Sequence, residues 1–243
     1  MTFSLTYKPF GERSILIEWP AKIETHILTE ILHFKEKIES KNIERISALR
    51  SAYHSLLVVY DKFEIGFEDE VNLLKKLYAS NEALPKTTSY LWKIPVCYDI
   101  SFGIDLEAIS EEKSISKEAI VTYHSSPIYT IYFIGFLPGF LYLGGLHERL
   151  FTPRKVTPRL QIKIGAVAIG GNQTGIYPQE SPGGWNVIGN SPINFFDSSK
   201  EQPCFAKAGD RLQFYQVSLK EHQNIKALVD AKVYQLESEV LDG

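Results

Sequence analysis

Cysteine is scarce in this chain. Cys97 and Cys204 are the two in 243 residues, too few and too far apart for a disulfide framework or a cysteine-based zinc site. Such a count implies two reduced thiols in a cytoplasmic protein. Charge is not in excess either: the formal net charge is -3 and the 26 Lys and Arg are scattered. No basic stripe offers the counterion-releasing surface that nucleic-acid binding needs, so nucleic acid is not an expected partner. The start MTFSLTYKPFGERS has no basic segment leading into an apolar core and does not read as a signal peptide. Long hydrophobic runs are lacking too. Ser125 to Leu146, SSPIYTIYFIGFLPGFLYLGGL, is 22 uncharged residues, long enough to test as a membrane span. Pro138 and four glycines interrupt it, and its aromatic residues suit strands and turns, so no membrane segment is expected. The histidines, at 26, 33, 54, 124, 147 and 222, show no HxH or HExxH spacing, and no metal is expected. A phosphate-binding GxxxxGK[ST] loop and a G-x-S-x-G nucleophile elbow are both missing.

What is present is an ordinary globular composition, 44% hydrophobic and 23% charged. The length suits one large domain or two modest ones. SLTYK and SILIEW read as two strands around a turn. Ile23, Ile27, Ile31, Phe34 and Ile38 then form one stripe at helical spacing. Ile43 to Leu49 and SLLVVY (55 to 60) make a second strand pair, and Glu68 to Ala79 a second helix with acids in its first turn. Residues 1–82 thus spell ββαββα, a small α+β domain, with a polar linker at 83–90 and a second domain over 91–243. In the second domain Leu91 to Tyr98 is a strand, Ser116 caps a short helix ending at His124, and Tyr129 to Phe136 is a strand. From there to Ser218 short strands and turns alternate, which argues for a closed or nearly closed barrel, since closure removes exposed edges. Ile225, Leu228, Val229, Val233 and Leu236 predict a C-terminal helix.

Three features carry candidate chemistry. In NQTGIYPQESPGGWNVIGNSP (172 to 192) the glycines permit φ above zero and close approach, and the prolines fix direction without offering donors. Gln173, Tyr177, Ser181, Gly183, Gly184 and Trp185 are its candidate ligand-binding residues. A barrel also needs corners, and the same composition serves that purpose. In PRKVTPR (153 to 159) both arginines follow a proline, so Arg154 and Arg159 are separated by up to about 16 Å of extended chain. One suits an anion while the other pairs with a structural acid; a solvated loop is the alternative. His124 is the candidate acid or base, with a structural role at the helix end beside it.

The ordered motifs IPVCYDISFGIDL (94 to 106), GFLPGFLYLGGL (135 to 146), PRKVTPR and GAVAIGGNQTGIYPQESPGGWNVIGNSP (165 to 192) resemble the family of 5-oxoprolinase B-type subunits, also known as allophanate hydrolase subunit 1 and including KipI-type kinase inhibitors. The resemblance implies a small N-terminal α+β domain followed by a cyclophilin-like β-barrel with a C-terminal helix. It implies a cytoplasmic subunit of a complex that hydrolyses 5-oxo-L-proline to L-glutamate using ATP, with the nucleotide site unconventional, shared between the B-type and C-type subunits, or elsewhere in the complex. The implied partners are a C-type subunit, similar to allophanate hydrolase subunit 2, and an A-type subunit of the same enzyme. Catalytic roles fall on His124, Arg154 and Arg159, and substrate contacts on the 173–185 residues named above. A partnership with a sensor histidine kinase and a carboxyl-transfer role are the family's alternatives. The chain departs from the family at Asn190, where an arginine is common, and at Asp99-Ile100, where a glycine pair is usual.

Overall fold

Ile15 and Ile17 alternate with half-exposed neighbours along strand β2 (Ser14–Glu18), and Leu56, Val58 and Tyr60 do the same along β4 (Ser55–Tyr60). The period of two turns one face of each strand toward an apolar layer. That layer is supplied by helix α1 (Thr25–Ser40), which buries Ile27, Leu28, Ile31, Phe34 and Ile38. Ile23 lies ahead of the helix and is exposed. With β1 (Thr6–Pro9), β3 (Ile46–Ser51) and α2 (Phe67–Ala79) the sheet order is β1-β2-β4-β3, all antiparallel. The computed structural model describes residues 3–62, 65–80 and 88–241. Two units divide the chain, Met1–Thr87 and Thr88–Gly243. Most of the expected linker, 83–87, lies outside the described residues, whereas Ser89 and Tyr90 already belong to a strand.

The second unit contains β5 (Ser89–Val96), α3 (Leu106–Lys113), α4 (Lys117–Ser125), β6 (Ile128–Ile134) and β7 (Leu141–Gly144). Then follow β8 (Arg159–Ile162), β9 (Ala166–Gly170), β10 (Gln173–Ile176), β11 (Ser181–Gly183), β12 (Asn186–Asn190), β13 (Arg211–Gln216), α5 (Leu219–Asp230) and β14 (Ser238–Leu241). Ser116 caps α4 by accepting the Ala119 N–H. The stretch tested as a membrane span forms β6 and β7, and among the described residues no helix is long and apolar enough to cross a membrane.

The fold is mixed α+β and mainly β, but the barrel expected from the sequence is not closed. Eight strands run β12-β9-β10-β7-β6-β13-β5-β14, an open sheet with β12 and β14 at its edges. One edge of β5 is paired in parallel with β13, and β14 takes Ser89 to Trp92 on the other side. What remains for β12 is a single bridge, Cys97 to Asn190, with N···O distances of 2.9 Å in both directions. Buried Asp210 fastens β5 to the start of β13 by accepting from the Tyr90 N–H at 3.0 Å and the Trp92 indole N–H at 2.9 Å. The C-terminal helix is shorter than its apolar pattern predicts. It ends at Asp230, Lys232 takes φ 60, and Val233 is exposed beyond it.

Both faces of β9 are buried, so its residues divide between two cores. Val167 and Ile169 enter the large core, while Ala166 and Ala168 enter a smaller one with Phe140, Ile162, Tyr177, Trp185 and Val187. The β8–β11 ribbon contributes to this second layer through Ile162 and Gly183.

Candidate functional site

The smaller core is an aromatic floor. Phe140 sits at its centre, meeting Trp185 edge-on (centroids 5.5 Å apart, 82°), Tyr177 edge-on (5.5 Å, 87°) and Tyr142 tilted (4.9 Å). Tyr142 in turn stacks on Phe133 at 4.2 Å. Such offset and edge-on pairs align ring edges with ring faces. Glycines leave room for the rings: a Cβ on Gly170 would fall 2.5 Å from Trp185 Nε1, and one on Gly183 would fall 2.3 Å from the Tyr177 hydroxyl. Of the two reasons expected for Gly183 and Gly184, a positive φ does not hold, since neither is among the positive-φ glycines, whereas close approach does hold at Gly183. Space for Tyr177 fixes Gly183 instead. Burial pushes the Tyr177 hydroxyl up to about 12, against the Trp185 backbone bond and the Arg154 charge that pull it down, so it stays a neutral phenol.

The PRKVTPR segment crosses this floor. Pro153 O accepts from Asn186 Nδ2 at 2.9 Å, and the Lys155 N–H donates to Gly184 O at 2.7 Å. Between these two anchors the Arg154 guanidinium lies over the Trp185 ring, 5.6 Å from its centroid, in a cation–π contact. Arg154 is exposed and forms no ion pair among the described residues. Arg159 behaves oppositely. It donates from Nη1 and Nη2 to the two carboxylate oxygens of Asp105, at 2.8 and 2.7 Å. Asp105, 3% exposed, also meets Lys155 Nζ at 2.8 Å and accepts the Val187 N–H at 2.7 Å. Burial raises the Asp105 carboxyl, but the Arg159 and Lys155 bonds and the Val187 N–H outweigh it and hold the pKa below the usual carboxylate range.

The two arginines therefore divide the roles the sequence left open: Arg159 takes the structural acid and Arg154 is left to face solvent. Arg159 is not placed as a catalytic group, because both of its terminal nitrogens are committed to Asp105. Arg159→Ala is expected to lower stability by about 3 kcal/mol by leaving a buried carboxylate half-paired. Urea unfolding checks this; a change under about 0.5 kcal/mol would show that the pair carries no stability.

His124 is also not where a reacting molecule can touch it. It is fully buried in the large core and stacks on Phe214 at 4.5 Å. The Thr174 hydroxyl donates to Ala168 O at 3.0 Å, so it accepts from His124 Nε2–H at 2.8 Å; the Tyr98 O–H then donates to Nδ1 at 2.7 Å. The network assigns one neutral tautomer with both ring nitrogens satisfied. Its structural role at the end of α4 prevails over the acid–base one.

Of the remaining candidates, Gln173 opens β10, Ser181 is nearly buried and donates to Pro182 O at 3.2 Å, and Gly184 serves as the acceptor for Lys155. Asn190 is structural: its Nδ2 donates to Ile164 O at 2.9 Å and its Oδ1 lies 2.8 Å from His222 Nε2. Asp99 closes a local turn by accepting from the Ser101 N–H and hydroxyl. Sequence reasoning does not find Asp105, Lys155 or the floor residues Phe133, Phe140 and Tyr142. The aromatics are visible in YFIGFLPGFLY as alternating positions on two adjoining strands. Asp105 stands 54 residues from Arg159, and no local period signals the pair.

The sequence and the fold match a known class. The chain belongs to the carboxyltransferase domain family, subdomain C and D, whose family model matches residues 5–206. It is 36% identical over 208 residues to the B-type subunit of 5-oxoprolinase from Haemophilus influenzae, covering 85% of this chain and 95% of that one. Among solved structures it is similar to TTHA0988, at 32% identity and a TM-score of 0.74 over 85% of this chain; it spans 40% of that longer chain. The K. lactis urea amidolyase superposes with a TM-score of 0.83 over 99% of this chain and 16% of its own, at 19% identity, a likeness of fold.

Proposed function

We propose that this chain is the B-type subunit of an ATP-dependent 5-oxoprolinase, inactive alone, which with its A-type and C-type partners opens 5-oxo-L-proline to L-glutamate in the cytoplasm. The observation that carries the proposal is the near full-length match to a protein of that name. The site supports it chemically: a small ring bearing one carboxylate suits an aromatic surface with one outward guanidinium. Arg154 receives the carboxylate, the ring lies against the half-buried Tyr142, and Gln173 supplies a polar edge. Tyr177, Gly183 and Gly184 shape the floor beneath.

A lactam carbonyl is resonance-stabilised and a poor electrophile, which is why ATP belongs to the proposal. The residues of the 153–159 segment do not fit a triphosphate. Of the three cations in 153–159, Lys155 and Arg159 already bond Asp105, which leaves Arg154 alone. The nucleotide is therefore assigned to the assembly and not to this segment.

The test is ATP-dependent glutamate release from 5-oxoproline by this chain alone, with its C-type partner, and with both the A-type and C-type partners. Release in the full set only is expected; no release from any stable combination would overturn the proposal. Within that assembly Arg154→Ala is expected to lower kcat/KM ten- to a hundredfold, the loss of a charge-assisted contact worth about 1.5–3 kcal/mol, with an unchanged melting temperature. A second reading, carboxyl transfer as part of a urea carboxylase, draws on the family match and, for the fold, on the urea amidolyase superposition. Carboxylation of urea in the presence of a separate biotinyl carrier would favour it.

A further inference from the structure

The Arg154 side chain is exposed, and exposed arginines ordinarily sample many rotamers. Here the chain on either side of it is tied down. Pro153 and Lys155 are held through their backbones by Asn186 and Gly184, and Lys155 and Arg159 are held through their side chains by one carboxylate, Asp105. That carboxylate is itself fixed, since it accepts the Val187 N–H of β12 and lies at the start of α3. Asp105 thereby joins α3, β12 and both ends of the segment 155–159. It also turns donors of two cations toward itself, so that a ligand at Arg154 meets one unpaired guanidinium and not three unpaired cationic groups.

We propose that Asp105 is the positioning residue of the Arg154 site: it holds Arg154 over Trp185 by clamping Lys155 and Arg159, and so restricts the site to ligands with a single carboxylate. The proposal deepens the 5-oxoprolinase reading and rests on it for the identity of the ligand, but not for the geometry. Asp105 touches no ligand; its effect passes through Arg154.

The first test uses the full chain and phenylglyoxal, with the rate of modification at Arg154 followed by peptide mass spectrometry. Asp105→Asn is expected to raise that rate at least threefold, and Asp105→Glu to return it toward wild type. Equal Arg154 rates in wild type and Asp105→Asn would overturn the proposal. This measurement needs no turnover, so it decides the clamp even if the assembled protein releases no glutamate. In the active assembly Asp105→Asn is expected to raise KM for 5-oxoproline at least fivefold with kcat within twofold, and to add nothing in an Arg154→Ala background. Rises that multiply in the double variant would show that Asp105 acts independently of Arg154 and overturn the proposal. Should Asp105→Asn fail to fold, Lys155→Met removes one arm of the clamp and leaves Asp105 paired with Arg159. A twofold or greater rise at Arg154 is expected there, and an unchanged rate would overturn the proposal.

Discussion

Trp185→Ala is expected to cost about 3–5 kcal/mol of stability, the range for deleting a large buried aromatic ring. Trp185 is 5% exposed, packed edge-on against Phe140, and seated against the bare α-carbon of Gly170. Removing the indole leaves a cavity beside Phe140, and the surrounding rings can collapse only by breaking their own contacts. Arg154 loses its cation–π partner at the same time. Urea unfolding followed by near-UV circular dichroism checks the expectation, and a loss under about 1 kcal/mol would mean that the ring is not a packing element. Trp185→Phe keeps most of the fill and should cost markedly less. This contrast separates the residue from Arg154, whose removal is expected to affect catalysis and leave stability alone.

Acidification is expected to destabilise the second unit from about pH 6.5 downward, through His124. Burial pushes its imidazole from an ordinary 6.5 down to about 3. The folded chain keeps this histidine neutral while the unfolded chain protonates it, so between those two values the unfolded state binds more protons and stability falls as pH falls. Above pH 6.5 both states are neutral and the group contributes no slope. Within the window the slope attributable to one such group is about 1.4 kcal/mol per pH unit at most. His124→Gln is expected to remove it, whatever the variant's stability at pH 7. His222, also pushed down by burial and by Lys226, keeps a slope in the same direction. Asp105 adds to the loss only below about pH 5, where its unfolded carboxyl begins to protonate first. Stability of wild type and His124→Gln measured from pH 7.5 to 4 distinguishes these contributions; parallel curves would rule out the buried neutral histidine.

The elements most easily read from the sequence are those with a strong local period. Alternation in SILIE and SLLVVY, the stripe through Ile27, Ile31, Phe34 and Ile38, and the cap at Ser116 all express contacts within a few residues of one another. Helix α3 escapes such a reading because its eight residues bury only Leu106 and Ile109, too few to mark a period. The C-terminal helix is overextended by the same logic, because Val233 and Leu236 continue the spacing, whereas Lys232 in the left-handed region turns the chain away. Barrel closure is not legible at all: it depends on whether β14 or β12 claims the free edge of β5. The site divides in the same way. Its aromatic and arginine content lies in plain sequence, but which arginine is free is settled by a carboxylate far away in the chain.

The position of β5 has a further consequence, for the order of assembly. Its neighbours β13 and β14 come far downstream of it, and the Asp210 carboxylate that secures Tyr90 lies 120 residues later. Chains are synthesised N-terminus first, and pairings of such separation are slow to form. During translation the first unit and the β9–β10 hairpin can pair with what has already emerged, whereas β5 must wait with both edges bare. The strand Ser238–Leu241 is thus a latch on a strand made far earlier in its unit, and a ribosome stalled before it would hold an edge open to aggregation.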